Sequence, residues 1–231
     1  MITQIYSIQT IQEALDCIAA GVDYIGIAAA THMHLPAEVS LEAGQDIFRA
    51  IGSQAKKVAL TVADSPEPIY QVIELLQPDV IHVCGNHYFA DAIFAKTARS
   101  ILPGIEVLQA IPVTGPQAIA EAEYYAEFCD SVILDSVDPS IAGIGAAGIV
   151  HDWSISAEIC RRLENLGCRV ILAGGLGPDN VAEAIRRVRP WGVDSFTRTS
   201  IKLPDGTSRK DPELVRLFVE HARQTAKDLG I

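Results

Sequence analysis

The chain has 231 residues, 49% hydrophobic and 20% charged, a length unusual for a β-sandwich and ordinary for a barrel of roughly 250 residues. It has no run of about 18 uninterrupted apolar residues and no basic start followed by an apolar stretch, so neither a membrane span nor a secretory leader is expected and a cytoplasmic location is. Eighteen Lys and Arg against 29 Asp and Glu give a net charge of -11, which repels nucleic acid and anionic membrane and leaves any anionic substrate to be held by local donors.

Strand and helix signals alternate along the chain. Short, β-branched apolar runs fall near 2–6, 23–30, 56–62, 79–84, 105–111, 131–135, 169–173 and 192–196. Between them lie segments with helical spacing, the first marked by Ile11, Leu15, Ile18 and Ala19 and ended by Gly21, where a left-handed residue is wanted. Ser65-Pro66-Glu67 reads as an N-cap followed by proline at the first helical position. Eight strand–helix repeats with no linker predict one (β/α)₈ barrel domain, the TIM barrel of the α/β class, over residues 1–231. Two connections are longer, Ser136 to Trp153 and Thr197 to Lys210; both follow strands, which places them on the catalytic face. The first contains Gly143, Gly145 and Gly148 and is expected to close as a lid. The five cysteines (Cys17, Cys84, Cys129, Cys160, Cys168) are scattered without a Cys-x-x-Cys pair and read as reduced thiols.

The most informative stretch runs from Val170 to Asn180, a buried strand entering a glycine turn and then a helix at Val181–Val188. Gly174 and Gly175 can take backbone angles closed to other residues, and the free N–H groups of the turn and helix start favour an anion. The next strand, Gly192-Val193-Asp194, exits into Thr197, Arg198 and Thr199. Together these form the expected phosphate site: Gly174, Gly175, Thr197, Arg198 and Thr199, in the last two loops of the barrel. Arg198 offers a forked donor to phosphate or to a second anion, its alternative being a surface pair with Asp205.

The histidines are also unevenly placed. His32, His34, His82, His87 and His151 fall at or just beyond predicted strand ends, and only His221 lies on a late helix. His32 and His34 share one side of an extended segment, and His82 and Cys84 share the inward face of the fourth strand. They can meet over the barrel mouth as substrate-binding groups or, alternatively, as ligands of a divalent metal that polarises a carbonyl. No other cofactor is expected.

The run Leu172-Ala173-Gly174-Gly175-Leu176-Gly177-Pro178-Asp179-Asn180-Val181, continued by Val188-Arg189-Pro190-Trp191-Gly192-Val193-Asp194 and Lys210-Asp211-Pro212-Glu213, resembles the phosphoribosylanthranilate isomerase family of tryptophan biosynthesis. The resemblance extends to Gly145-Ala146-Ala147-Gly148 with His151-Asp152-Trp153-Ser154 and to Val132-Ile133-Leu134-Asp135-Ser136, and is thinner in the first half, at Glu13-Ala14-Leu15, Ala20-Gly21-Val22-Asp23 and Ile25-Gly26. It implies a barrel isomerase that turns a phosphorylated aldose derivative into a ketose, working as monomer or homodimer. Asp135 matches the family's general acid, which protonates the furanose ring oxygen so that the ring opens to a Schiff base. Alternation puts Ser131, Ile133 and Asp135 on one face, inward at the strand's carboxyl end.

Where the family carries Lys-Ile-Cys-Gly, with the cysteine as general base, this chain has Gln4-Ile5-Tyr6-Ser7. The family's carboxylate-binding arginine has no counterpart in Thr31-His32-Met33-His34-Leu35-Pro36-Ala37-Glu38, its Gln-x-His-Gly becomes His82-Val83-Cys84-Gly85, and its Ser-Ser-Gly becomes Phe196-Thr197-Arg198. The base is then His82 or Tyr6, with His82 favoured because an unperturbed imidazole near pKa 6.5 suits the task and a phenol near 10 does not. The family's own reaction run by a substitute base, and a silent phosphosugar-binding relative with a regulatory role, are the alternatives.

Overall fold

The computed structural model describes residues 1–29, 35, 37–85, 87–137, 144–145, 148–204 and 207–231. In chain order the elements are β1 (Ile2–Ile5), α1 (Ile11–Ala19), β2 (Tyr24–Ala29), β3 (Glu38–Val39), α2 (Leu41–Ile51), β4 (Lys56–Thr61), α3 (Pro66–Leu76), β5 (Val80–Val83), α4 (Ala92–Ile101) and β6 (Glu106–Pro112). There follow α5 (Gln117–Tyr125), β7 (Ser131–Asp135), α6 (Trp153–Leu163), β8 (Arg169–Leu172), α7 (Val181–Val188), β9 (Gly192–Ser195), β10 (Ser200–Lys202), β11 (Ser208–Lys210) and α8 (Pro212–Leu229). Parallel pairing runs β1-β9-β8-β7-β6-β5-β4-β2, and β2 returns to β1, so the sheet closes into the expected (β/α)₈ barrel. The two-residue β3 is a short parallel addition to the end of β2. Among the described residues no helix is long and apolar enough to cross a membrane.

Alternation along each strand sorts the core into two layers. Outward residues such as Ile5, Ile25, Ile27 and Ile81 are buried under the helices, while Tyr24, Val58, Val80, Leu108, Ile133 and Ile171 fill the barrel interior. Helix α7 shows how the outer layer forms: Val181, Ala184, Ile185 and Val188 recur at helical spacing and are buried, while Glu183 and Arg187 pair on the solvent side. Each fully buried aliphatic side chain of this kind stabilises the fold by roughly 1.5–3 kcal/mol. Helix α8 packs against both α7 and α1, so the ring of helices closes as the sheet does.

The structure refines three expectations. Gly21 takes φ +88 after α1, as a C-terminal glycine should. Ser65 is the N-cap of α3 with Pro66 behind it, but its hydroxyl makes no capping bond to the helix backbone. The Thr197 to Lys210 connection forms a 3₁₀ turn at Thr197–Thr199 and an antiparallel hairpin of β10 and β11, in register Ser200 with Lys210 and Lys202 with Ser208. Residues 138–143 and 146–147 of the other long connection, including Gly143, lie outside the described residues, as do His32 and His34.

Candidate active site

The carboxyl ends of β1, β5, β7 and β9 converge on one cavity of about 70 Å³. Its polar members are Tyr6, Ser7, His82, Asp135 and Asp194, and Leu35, Leu60, Val62, Cys84, Ile144 and Phe196 supply most of the apolar wall. Period-2 alternation explains the assembly: Gln4 and Tyr6, His82 and Cys84, Ile133 and Asp135, and Asp194 and Phe196 each share the inward face of their strand. Tyr6 is held by packing. Its ring lies flat over Gly26 of β2, where any Cβ would overlap the ring, so a glycine opposite makes room for an aromatic at the barrel mouth.

The Tyr6 hydroxyl stands 2.5 Å from Nδ1 of His82, a hydrogen bond whose direction depends on the imidazole tautomer. His82 Nε2 is buried and has no partner among the described residues. The expectation of an imidazole near its ordinary pKa is not met, because burial pushes His82 down to about 3. Burial likewise pushes the Tyr6 phenol well above its usual range, with the negative charge of Asp194 adding to the effect. At neutral pH both groups are uncharged.

The carboxyls behave in the opposite sense. Burial raises Asp135 to about 7, against a backbone hydrogen bond from Ser136 N at 2.7 Å that favours its charged form. Asp194 is raised to about 8, chiefly by burial and then by the charge of Asp135. Gln4 Nε2 donates to Asp194 Oδ1 at 3.2 Å, whereas Gln4 Oε1 is buried without a partner among the described residues. The neighbouring cation is Lys210, itself lowered to about 8 by burial. Its ammonium donates to Phe196 O at 2.8 Å, Ser200 Oγ at 3.0 Å and Thr199 Oγ1 at 3.3 Å, which ties the hairpin to the end of β9.

Two segments of the glycine-rich connection cover the site. Cys84 and Ile144 are bonded twice: Ile144 N donates to Cys84 O at 3.2 Å, and the Cys84 thiol donates to Ile144 O at 2.9 Å. Gly145, at φ +108, lies directly on the Asp135 carboxyl, where a Cβ would collide with Oδ2. Further along, Gly148 and Ile149 close over Gly175. Ser136 Oγ donates to Ile149 O at 2.7 Å and lies 3.1 Å from His151 Nδ1, while His151 Nε2 lies 2.8 Å from Ser156 Oγ. With the Ser136 proton on Ile149, Nδ1–H donates to Ser136 and Nε2 accepts from Ser156. His151 is therefore a neutral brace of this connection, and burial lowers its pKa to about 4.

The expected phosphate turn has the backbone its sequence requires. Gly174 and Gly175 stand at φ +84 and φ +60, and with Gly148, Thr197, Asp135 and Asp194 they border a second space of about 20 Å³, enough for one water. Asn180 braces the turn without capping α7: its Oδ1 accepts from Gly177 N at 2.9 Å and its Nδ2 donates to Gly175 O at 3.0 Å. Ser195 Oγ donates to Leu176 O at 2.7 Å. Arg198 pairs at 2.9 Å with Asp179, on the rim, while Asp205, the partner weighed from the sequence, is outside the described residues. Thr199 is fully buried and donates to Phe196 O, so of the exit residues it is Thr197 that faces this space.

The sequence reading passed over Asp194 and Lys210. Asp194 stands next to the last residue of its barrel strand, on the inward face as Asp135 does, and it borders both spaces. Among the described residues no group of three or more His, Cys, Asp or Glu is placed to hold a metal ion.

Residues 3–221 match the family model of N-(5'-phosphoribosyl)anthranilate (PRA) isomerase. This chain belongs to the PRA isomerase family. Curated relatives carrying that enzyme's name include one from Natronomonas pharaonis, 32% identical over 205 residues that span 89% of each chain, and one from Rhodopseudomonas palustris, 31% identical over 224 residues that span 96% of each. The crystal structure of phosphoribosyl anthranilate isomerase from Thermotoga maritima superposes with a TM-score of 0.77 at 24% identity, over 97% of this chain and all of that one. A phosphoribosyl anthranilate isomerase in complex with reduced 1-(o-carboxyphenylamino)-1-deoxyribulose 5-phosphate superposes with a TM-score of 0.75 at 22% identity over the same shares. At those identities the two structures establish the shared barrel fold.

Proposed function

We propose that this member of the PRA isomerase family is an aldose–ketose isomerase that converts an N-substituted 5-phosphoribosylamine into the corresponding 1-amino-1-deoxyribulose 5-phosphate. The single observation that carries the chemistry is the pair of carboxyls on the cavity wall, a buried Asp194 and a half-buried Asp135. With Asp135 raised to about 7 and Asp194 to about 8, the pair retains a proton at neutral pH, chiefly on Asp194, and the reactive form is the one in which that proton stands on Asp135 and Asp194 is charged. Asp135, at the family's acid position, gives its proton to the furanose ring oxygen; the C1–O bond breaks and an iminium forms. Asp194 then takes the C2 proton, the electron pair moves into the C1–C2 bond and neutralises the iminium nitrogen, and the enaminol ketonises by protonation at C1. No metal or organic cofactor is needed, because protein groups supply both the acid and the base.

The sugar phosphate is held by Gly174, Gly175 and Thr197, through backbone N–H groups and one hydroxyl beside the carboxyl pair. Arg198 joins them by exchanging Asp179 for phosphate, since a half-exposed ion pair contributes only about 0–1 kcal/mol. His32 and His34 are proposed as further donors on the substrate side, with Cys84 in the wall.

A second reading of the base rests on His82. His82 lines the cavity with Nε2 unpartnered among the described residues and Nδ1 committed to Tyr6, so the pair can relay a proton once a ligand raises the imidazole pKa. Turnover by Asp135→Asn, Asp194→Asn and His82→Gln, measured as ketose phosphate formed, decides between the two. Loss of about 10²–10⁴-fold in both Asp variants supports the carboxyl pair, whereas an active Asp194→Asn beside an inactive His82→Gln supports the relay.

A further inference from the structure

The distribution of positive charge around the barrel mouth is lopsided. All 18 Lys and Arg can be placed, and the strand-to-helix connections at 6–10, 30–40, 62–65, 84–91, 113–116, 136–152 and 173–180 contain none of them. This holds for the whole sequence of those connections, described or not. At that face Arg198, Lys202, Arg209 and Lys210 all follow the last barrel strand, on the phosphate side. Among the described residues that line the larger cavity there is no Lys or Arg, and its two acids face a neutral His82.

Helix N-termini could in principle supply the missing positive potential, since all of them point to this face. Most have a carboxyl close by that offsets it: among the described helices all but α5 carry an Asp or Glu at the N-cap or in the first turn. A carboxylate on the group carried by the substrate's amine would therefore enter an apolar wall of Leu35, Leu60, Val62, Ile144 and Phe196, beside two acids and with no cation to meet it.

We infer that this site selects phosphoribosylamines whose nitrogen carries an uncharged, apolar group, an arylamine without a carboxylate, in preference to the anthranilate derivative. The inference rests on the isomerase reading above and narrows its substrate class. Phosphate recognition and amine-group recognition then rest on different groups, the first on cations and backbone N–H groups after β8 and β9, the second on apolar contact with the other strands and Phe196.

Two unreactive ligands test this without requiring turnover: reduced 1-phenylamino-1-deoxyribulose 5-phosphate and the same molecule with an ortho carboxylate, titrated calorimetrically at pH 8, above the ordinary imidazole pKa. The uncarboxylated ligand is expected to bind at least about tenfold more tightly. Leu35→Arg, which places a cation in the wall, is expected to reverse that order. Equal or tighter binding of the carboxylated ligand by the unaltered protein overturns the inference while leaving the isomerase reading intact. Failure of both ligands to bind, with inorganic phosphate also silent, overturns the reading and the inference together.

Discussion

Gln4 of the first barrel strand and Asp194 of the last stand side by side in register, and the Gln4 amide donates to the Asp194 carboxyl at 3.2 Å. Burial and the charge of Asp135 raise Asp194 to about 8, and the bond from a neutral amide pulls the other way too weakly to undo them, where an ammonium in its place would stabilise the carboxylate far more. Gln4→Lys is expected to lower the Asp194 pKa by at least about one unit and to shift the basic limb of the pH–rate profile downward with it. A profile unmoved by the substitution would disconnect Gln4 from the proton inventory.

The same pair sets a pH dependence of stability. Asp135 and Asp194 have folded pKa values near 7 and 8, above the unfolded carboxylate range, so their favourable contribution is complete in acid and is lost as pH rises through those values. His82 and His151, lowered to about 3 and about 4, act in the opposite sense, but only below the ordinary imidazole pKa near 6.5. Between pH 6.5 and 8 the carboxyls dominate, offset only slightly by Lys210 with its pKa lowered to about 8, and the protein should lose on the order of 2 kcal/mol across that window. Urea denaturation at a series of pH values measures it, and in Asp194→Asn the slope should fall by more than half.

Lys210 fixes the rim that carries Thr197. In Lys210→Met the Phe196 carbonyl loses its charged donor inside the fold, at a cost of about 1–3 kcal/mol. Inorganic phosphate should then raise the melting temperature less than in the unaltered protein, because the turn that presents Thr197 is no longer tied to the hairpin. An unchanged phosphate-induced shift would show that the turn holds itself.

Gly175 is constrained twice, by φ +60 and by the backbone of Ile149, which would stand 2.7 Å from any Cβ. Gly175→Val is expected to lower stability by at least about 1 kcal/mol and to abolish protection by phosphate. A variant that folds and still binds phosphate would move the anion site elsewhere.

Most of the fold was legible because it rests on repetition. Eight apolar runs with helical segments between them leave little choice of architecture, and each predicted run lies within two residues of an observed barrel strand. The β10–β11 hairpin was not legible, since Ser200–Lys202 and Ser208–Lys210 are short, polar and without an apolar period. Gly174 and Gly175 could be read from position, and Asp135 from the family resemblance together with its inward place on the strand. The state of His82 could not, because its pKa is set by enclosure under Tyr6 and the Ile144 segment, contacts made by residues distant in sequence. Arg198 was legible as a forked donor, but its partner Asp179 depends on how the last two connections lie against each other.

Solvent exchange of the C2 proton tests the central claim most directly, because it reports on the base before any later step. With an N-aryl 5-phosphoribosylamine deuterated at C2, the unaltered protein should wash out the label into water in step with ketose formation. Asp194→Asn should slow the loss by about 10²–10⁴-fold, while a surface variant such as Arg216→Ala, from an exposed helical ion pair, should leave it unchanged. Loss of the label from Asp194→Asn at the unaltered rate would contradict the assignment of proton transfer to the Asp135–Asp194 pair.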